Sequence, residues 1–234
     1  MAQTCKITKR ELSAYFTSPI AYIVIAVYLL VSGWFFFSTF FIVGQASMRN
    51  FFNLVPFIFA FIVPALTMRL FSEEFNTGTY EILYTMPVNR RNIILGKFCA
   101  SVIFIIIMLI PTLIYAITVD IMGDLDWGPV LGGYLGCILL GAGFAAIGIF
   151  ASSITRNQIV AFIIGCVICY VLVLLDNVLF ALPNNVINVV SYIGSTSHFN
   201  NIARGIIDTR DIIYFVSVCF IGLYATYVSL QEKQ

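Results

Sequence analysis

The residues that could carry chemistry are few and scattered. Ser195-Thr196-Ser197-His198 sets two serine hydroxyls beside the chain's one histidine, the residue types of a hydrolytic nucleophile and its base. A working pair needs hydrogen-bond geometry and an oxyanion hole. Neighbours in sequence supply neither, so this run predicts polar contacts and not catalysis. Cys166 and Cys169 share a helix face inside an apolar run. No second ligand pair has matching spacing, so they read as small buried side chains and not as a metal or redox site. Gly96-Lys97 is followed by Phe98, and Arg91 stands where a phosphate-binding loop needs its first glycine, so the nucleotide-binding pattern is absent. Asp176 lies near the end of an apolar stretch. A carboxylate there is costly unless paired or wetted, which makes it a functional candidate. Asp208, Arg210 and Asp211 read as a charge network at an outer surface.

The largest gathering of polar groups is Ser72 to Lys97, which holds Glu73, Glu74, Glu81, Arg90, Arg91 and Lys97, six of the 23 acidic and basic residues. Turn signals at Asn76-Thr77-Gly78 and Met86-Pro87-Val88-Asn89 bracket a predicted short helix from Thr79 to Met86. Thr79 can cap its start, and Glu81 falls in the first turn, where the helix dipole favours an anion. Pro87 ends it, because the residue before a proline is pushed out of the helical region. About two turns cannot hold themselves in water, so this segment reads as an element that docks on something.

Nearly everything around that segment is apolar. The set AVILMFWYC makes up 61% of the 234 residues and charged residues only 10%, with mean hydropathy +1.00. Soluble domains carry roughly 25% charge, so the composition predicts an all-α integral membrane protein. A net charge of +1 gives no reason to expect nucleic acid as a partner. Residues 4–18 place Lys6, Lys9, Arg10 and Glu11 among Ile7, Leu12, Tyr15 and Phe16, the pattern of an amphipathic helix lying in the membrane interface with its basic face toward lipid head groups. Six spans follow at about 20–43, 51–71, 98–119, 129–154, 159–182 and 211–230, all in one domain, 1–234. The first is read as retained and not as a cleaved signal peptide. The second contains Pro56 and Pro64, which predicts a helix packed inside the bundle. The fourth carries Gly132, Gly133, Gly136, Gly141, Gly143 and Gly148, a spacing that permits close helix contact and a central position. The six cysteines do not form a disulfide framework, since none lies in a polar external loop.

An even number of spans puts both termini on one side. With that side inside, Lys6, Lys9, Arg10, Arg69, Arg90, Arg91, Lys97, Arg156 and Lys233 face inward, while Arg49, Arg204 and Arg210 face outward. The bias predicts cytoplasmic termini and a cytoplasmic Ser72–Lys97 segment.

The run from Phe75 through Gly78-Thr79-Tyr80-Glu81-Ile82-Leu83, Pro87-Val88 and Arg90-Arg91 to Gly96-Lys97 resembles the cytoplasmic loop of ABC-2 type transporter permeases. Ser18-Pro19-Ile20-Ala21-Tyr22 and the stretch from His198-Phe199 through Arg204-Gly205 and Asp208 to Tyr214-Phe215 are similar to the gliding-motility-type and nitrous-oxide-maturation-type branch, nearer the former. The resemblance covers essentially the whole chain. It implies that residues 4–18 form an interfacial helix and that Gly78, Thr79, Glu81, Ile82, Leu83, Met86, Pro87 and Arg90 form a coupling helix meeting a separate cytoplasmic ABC ATPase. It further implies re-entrant segments between spans five and six, consistent with the mixed hydropathy of residues 183–210.

The expectation is therefore a multi-pass permease subunit in a bacterial inner membrane, itself not an enzyme. It would bind no cofactor, ATP and Mg residing on the partner ATPase. A second permease subunit, identical or paralogous, and an accessory extracytoplasmic protein complete the expected partners. Asp176, His198, Asp208 and Arg210 are candidates for a substrate path or outer gate. A channel or secondary transporter is the alternative, and it calls for charges and broken helices at mid-membrane, where this sequence is almost free of charge. A structural anchor of a surface machinery is a third reading.

Overall fold

The computed structural model describes residues 2–45, 47–79, 89–178, 192–206 and 208–232. It is all-helical among these residues, with six helices long and apolar enough to cross a membrane. The amphipathic start forms α1 (Ala2–Thr17) and the first span α2 (Pro19–Val43). Ser18 caps α2 by accepting from the Ile20 amide at 3.4 Å, with Pro19 in the first helical position, where its missing N–H costs nothing. Gly44 ends it at φ 63° and returns its amide to the Phe40 carbonyl, a left-handed stop that favours glycine.

The second span is α3 (Arg49–Thr67) continued by α4 (Arg69–Thr77). Its two prolines are buried, and the helix breaks at Met68. Ser152 repairs the break from a neighbouring helix. Its hydroxyl donates to the Met68 carbonyl at 2.8 Å and accepts from the amides of Phe71 and Ser72 at 3.0 and 3.1 Å. A buried backbone joint is thus satisfied by a side chain. The helix reaches Thr77, six residues beyond the hydropathy boundary at 71, and stops at Gly78, φ 71°. The third span likewise begins early. α5 (Arg90–Leu109) passes through a 3-10 turn at Ile110–Thr112, set by Pro111, into α6 (Leu113–Met122). The described part of the polar interruption is therefore mostly helix; residues 80–88 lie outside it. The remaining elements are α7 (Trp127–Ile154), α8 (Gln158–Val178), the short α9 (Ser195–Ala203) and α10 (Thr209–Glu232).

The glycine-rich α7 is the hub, packing against α3, α4, α5, α8, α9 and α10. Its glycines leave room for specific neighbours. A Cβ on Gly132 would lie 2.5 Å from the Ile202 carbonyl oxygen, and one on Gly141 would lie 2.9 Å from Ile105 Cγ2. By contrast α2, α8 and α10 leave many large apolar side chains exposed, among them Leu30, Trp34, Ile163 and Phe220, the surface a lipid solvent permits.

α1 differs in one respect from the interfacial helix read from its sequence. Lys6, Lys9 and Arg10 are exposed, but Ile7, Leu12, Tyr15 and Phe16 turn toward protein. Gly96 lets Ile7 and the Thr4 carbonyl approach α5, and the Thr8 hydroxyl donates to the Gly96 carbonyl at 3.1 Å. Asn92 adds a bond to Gln3 at 3.0 Å. The helix is clamped along the base of the third span.

Candidate functional site

Two polar clusters sit at opposite ends of the bundle. The first centres on Lys97, about two turns inside α5 and only 1% exposed. Its ammonium donates to Glu74 Oε1 at 2.7 Å, to the Leu70 carbonyl at 2.7 Å and to Glu11 Oε1 at 3.3 Å. It also lies 5.1 Å from the centre of the Phe71 ring, close enough for a cation–π contribution. One cation thereby joins α1, α4 and α5. These three elements hold both ends of the segment 80–88. Around them, Arg69 pairs with Glu73 at 2.8 Å, and the Arg91 guanidinium lies 5.7 Å from the centre of the Tyr227 ring on α10.

Of the residues expected to couple to an ATPase, Gly78 is the left-handed end of α4. Thr79 is exposed, its hydroxyl 2.9 Å from that of Thr77. Arg90 opens α5 and is half-buried. Glu81, Ile82, Leu83, Met86 and Pro87 lie outside the described residues, and so does the predicted helix beyond Thr79. Sequence reasoning placed Lys97 and Glu74 in a polar loop; it had no means of bringing Glu11, 86 positions away, into the same pocket. The legible signal was a lysine with apolar residues on both flanks.

The second cluster joins α8, α9 and α10. Asp176 Oδ2 accepts from the Ser197 amide and Oδ1 from the Ser197 hydroxyl, both at 2.8 Å. The carboxylate thus acts as a cap for α9, delivered from another helix, and it meets the dipole at its favourable end. Gly194 lies so close that any side chain there would strike it. Next along α9, His198 Nδ1 and Asp211 Oδ1 share a hydrogen bond at 2.6 Å, and Nε2 faces the Tyr192 carbonyl at 3.3 Å. Tyr214 stacks on the imidazole with ring centres 4.2 Å apart and donates to the Ile193 carbonyl at 2.6 Å. The candidates Asp176 and His198 are thus brought together through Ser197.

Asp208 and Arg210 are not part of that group. Asp208 Oδ1 accepts from the Arg210 amide at 3.0 Å at the start of α10, and both side chains are exposed. Asp211, read from sequence as part of an outer-surface network, is 3% exposed and turned inward onto His198. The reason is helical geometry: Arg210 and Asp211 are neighbours on α10, about 100° apart around its axis, so one faces out while the other faces the bundle. Neither serine serves the imidazole. The Ser197 hydroxyl is committed to Asp176, and that of Ser195 is buried without a hydrogen-bond partner among the described residues. The cluster can hold three helices in register. Its arrangement is not that of a nucleophile and base.

The geometry is therefore that of a helical membrane bundle with one buried ionic tie at the end nearest residues 80–88 and one hydrogen-bonded cluster at the other. A profile described as ABC-2 family transporter protein matches residues 12–233, which takes in all six membrane-length helices and every member of the two clusters but Glu11. No curated protein matches the chain. With nearly its full length covered, the chain belongs to the ABC-2 transporter family, as a membrane permease component.

Proposed function

We propose that the chain is the membrane subunit of an ATP-driven transporter whose motor is a separate cytoplasmic ABC ATPase docking on the segment from Gly78 to Arg90. The observation that carries this reading is the Lys97 tie. Both helices that border the segment are joined to each other and to α1 by one buried cation. A push on the segment would be delivered to three helices together and not absorbed by a slack loop. Ile82, Leu83 and Met86 supply apolar grip, and Glu81 offers a carboxylate to a basic residue on the ATPase. Two permease subunits, identical or paralogous, work with two ATPases in a bacterial inner membrane, with both termini in the cytoplasm. ATP and Mg belong to the partner, since this sequence lacks a phosphate-cradling loop. An extracytoplasmic accessory protein fits the gliding-motility-type likeness. Movement of a substrate or exertion of force across the membrane is the output.

The test is a pull-down of the ATPase from detergent extracts. Leu83→Asp puts an unpaired charge into the contact, at a cost of several kcal/mol if that contact is dry. The variant should insert normally and lose the ATPase. Asp208→Asn should keep it, because asparagine also caps helices and the site is at the other end of the bundle. Capture of the ATPase by Leu83→Asp at the wild-type level would remove this segment as the docking element.

A further inference from the structure

The end of the bundle remote from Lys97 contains a cavity of about 400 Å³ between the start of α3, the start of α7 and the end of α9. Arg49 and Arg204 line it, and both are exposed. They are two of the three basic residues that the charge pattern assigns to this face. The ion pairs among the described residues are Arg69 with Glu73, Lys97 with Glu11 and Glu74, and His198 with Asp211, so neither guanidinium is neutralised within the described chain. The other wall is apolar, formed by the buried Met48, Phe52 and Val130.

The backbone adds to the positive character. α3 begins at Arg49, whose amide donates to the Ser47 hydroxyl at 3.2 Å, and α7 begins at Trp127, so two positive helix ends open on one space. Two features oppose it. Asp126 also lines the cavity, but its Oδ1 is taken by the Gly128 amide at 3.0 Å as the cap of α7. The negative end of α9 comes here too, where the amides of Gly205 and Ile206 cover the Ile202 and Asn201 carbonyls at 2.9 and 3.2 Å. The balance favours an anion. A fork of two guanidiniums suits phosphate oxygens, which arginine binds bidentately. The apolar wall asks for a ligand with hydrocarbon beside its charge.

We infer that this cavity binds the phosphate ester of an anionic amphiphile, its head between Arg49 and Arg204 and its apolar part against Met48, Phe52 and Val130. An anionic phospholipid of the adjoining leaflet has that chemistry; a free sugar or glycerol phosphate shares the head alone. The inference does not depend on the ATPase docking proposed above.

The experiment uses the purified full chain without an ATPase, so that its failure leaves the docking reading untouched. The protein is reconstituted in vesicles of equal parts phosphatidylglycerol and phosphatidylcholine and extracted in neutral detergent. Retained lipid is then counted by native mass spectrometry. The wild type should retain phosphatidylglycerol preferentially. R49Q/R204Q should weaken that retention ~10-fold or more, as loss of charge-assisted hydrogen bonds predicts. R210Q, an exposed arginine on the same face but outside the cavity, should retain it. R49K/R204K keeps the charge and should hold more lipid than R49Q/R204Q, which separates charge from folding. Glycerol phosphate should displace the lipid far less well than short-chain phosphatidylglycerol. Equal retention of the two lipids by the wild type, or full retention by R49Q/R204Q, would overturn the site. Displacement by glycerol phosphate as efficient as by the short-chain lipid would overturn the amphiphile and leave a phosphate pocket.

Discussion

At Lys97 a single ammonium is shared by two carboxylates and a carbonyl in a place almost closed to solvent. Replacing a buried ion pair by apolar groups can be neutral, whereas removing one partner strands a charge and costs about 3–5 kcal/mol. Lys97→Met should therefore lower the thermal unfolding temperature of the detergent-solubilised protein sharply, because Glu74 and Glu11 would be left without their cation. Adding Glu74→Gln to Lys97→Met removes one of the stranded charges and should recover part of the loss, a non-additivity expected of direct partners. Glu74 Oε2 is already buried without a hydrogen-bond partner among the described residues, so the Gln variant has little on that atom to lose. A Lys97→Met protein that melts like wild type would mean that the tie holds nothing together. The His198 cluster obeys the same rule with different means. There, among the described residues, Asp176 is stabilised by one amide and one hydroxyl and Asp211 by an imidazole, and not by an alkyl ammonium.

Among the elements, α7 carries the most constraint, and its glycines are not equivalent. At Gly132 the obstacle to a methyl group is the Ile202 carbonyl at 2.5 Å and Gly205 Cα at 3.2 Å, both backbone, so nothing can rotate away. At Gly143 the nearest atom is Val218 Cγ1 at 3.4 Å, an ordinary contact. Gly132→Ala should displace α9 and cost about 1–3 kcal/mol, as overpacking does; Gly143→Ala should be close to neutral. Melting of the two variants side by side measures the difference, and equal behaviour would mean that α9 is not seated on α7. Helix number, order and the central place of the glycine-rich span were legible in hydropathy and small-residue spacing, since a lipid solvent leaves few other solutions. The ends of the second and third helices were not. Charges at Glu73, Glu74, Arg90 and Lys97 look like loop to a hydropathy window, but Arg69–Glu73 pairing along one helix and Lys97–Glu74 pairing between two keep those turns helical. The inward turn of Asp211 was equally hidden, because it depends on where α9 delivers His198.

For the molecule as a whole, the alternation of helix directions assigns every polar feature to one of two faces. Thr77, Arg90, Ile154, Gln158 and the end of α10 share one face; Gly44, Arg49, Met122, Trp127 and Thr209 share the other. Which of them is cytoplasmic follows from basic residues, since loops rich in lysine and arginine stay on the side of synthesis. The first face collects Lys6, Lys9, Arg10, Arg69, Arg90, Arg91, Lys97 and Arg156, against Arg49, Arg204 and Arg210 on the second. Lys97 and Arg69 are engaged with carboxylates, but discounting both leaves the excess on the same side. Acidic residues contribute little to orientation, so Asp120, Asp124 and Asp126 on the second face do not alter the balance. Reporter fusions at Gly78 and Asn157 are therefore expected to read cytoplasmic, and fusions at Asp124 and Asn200 external. An external reading at Gly78 would put the segment from Gly78 to Arg90 beyond the reach of any cytoplasmic ATPase. It would also turn the Arg49–Arg204 cavity toward the inner leaflet. A cytoplasmic reading at Gly78 together with an external one at Asp124 puts the Lys97 tie on the motor's side of the membrane and the cavity on the other.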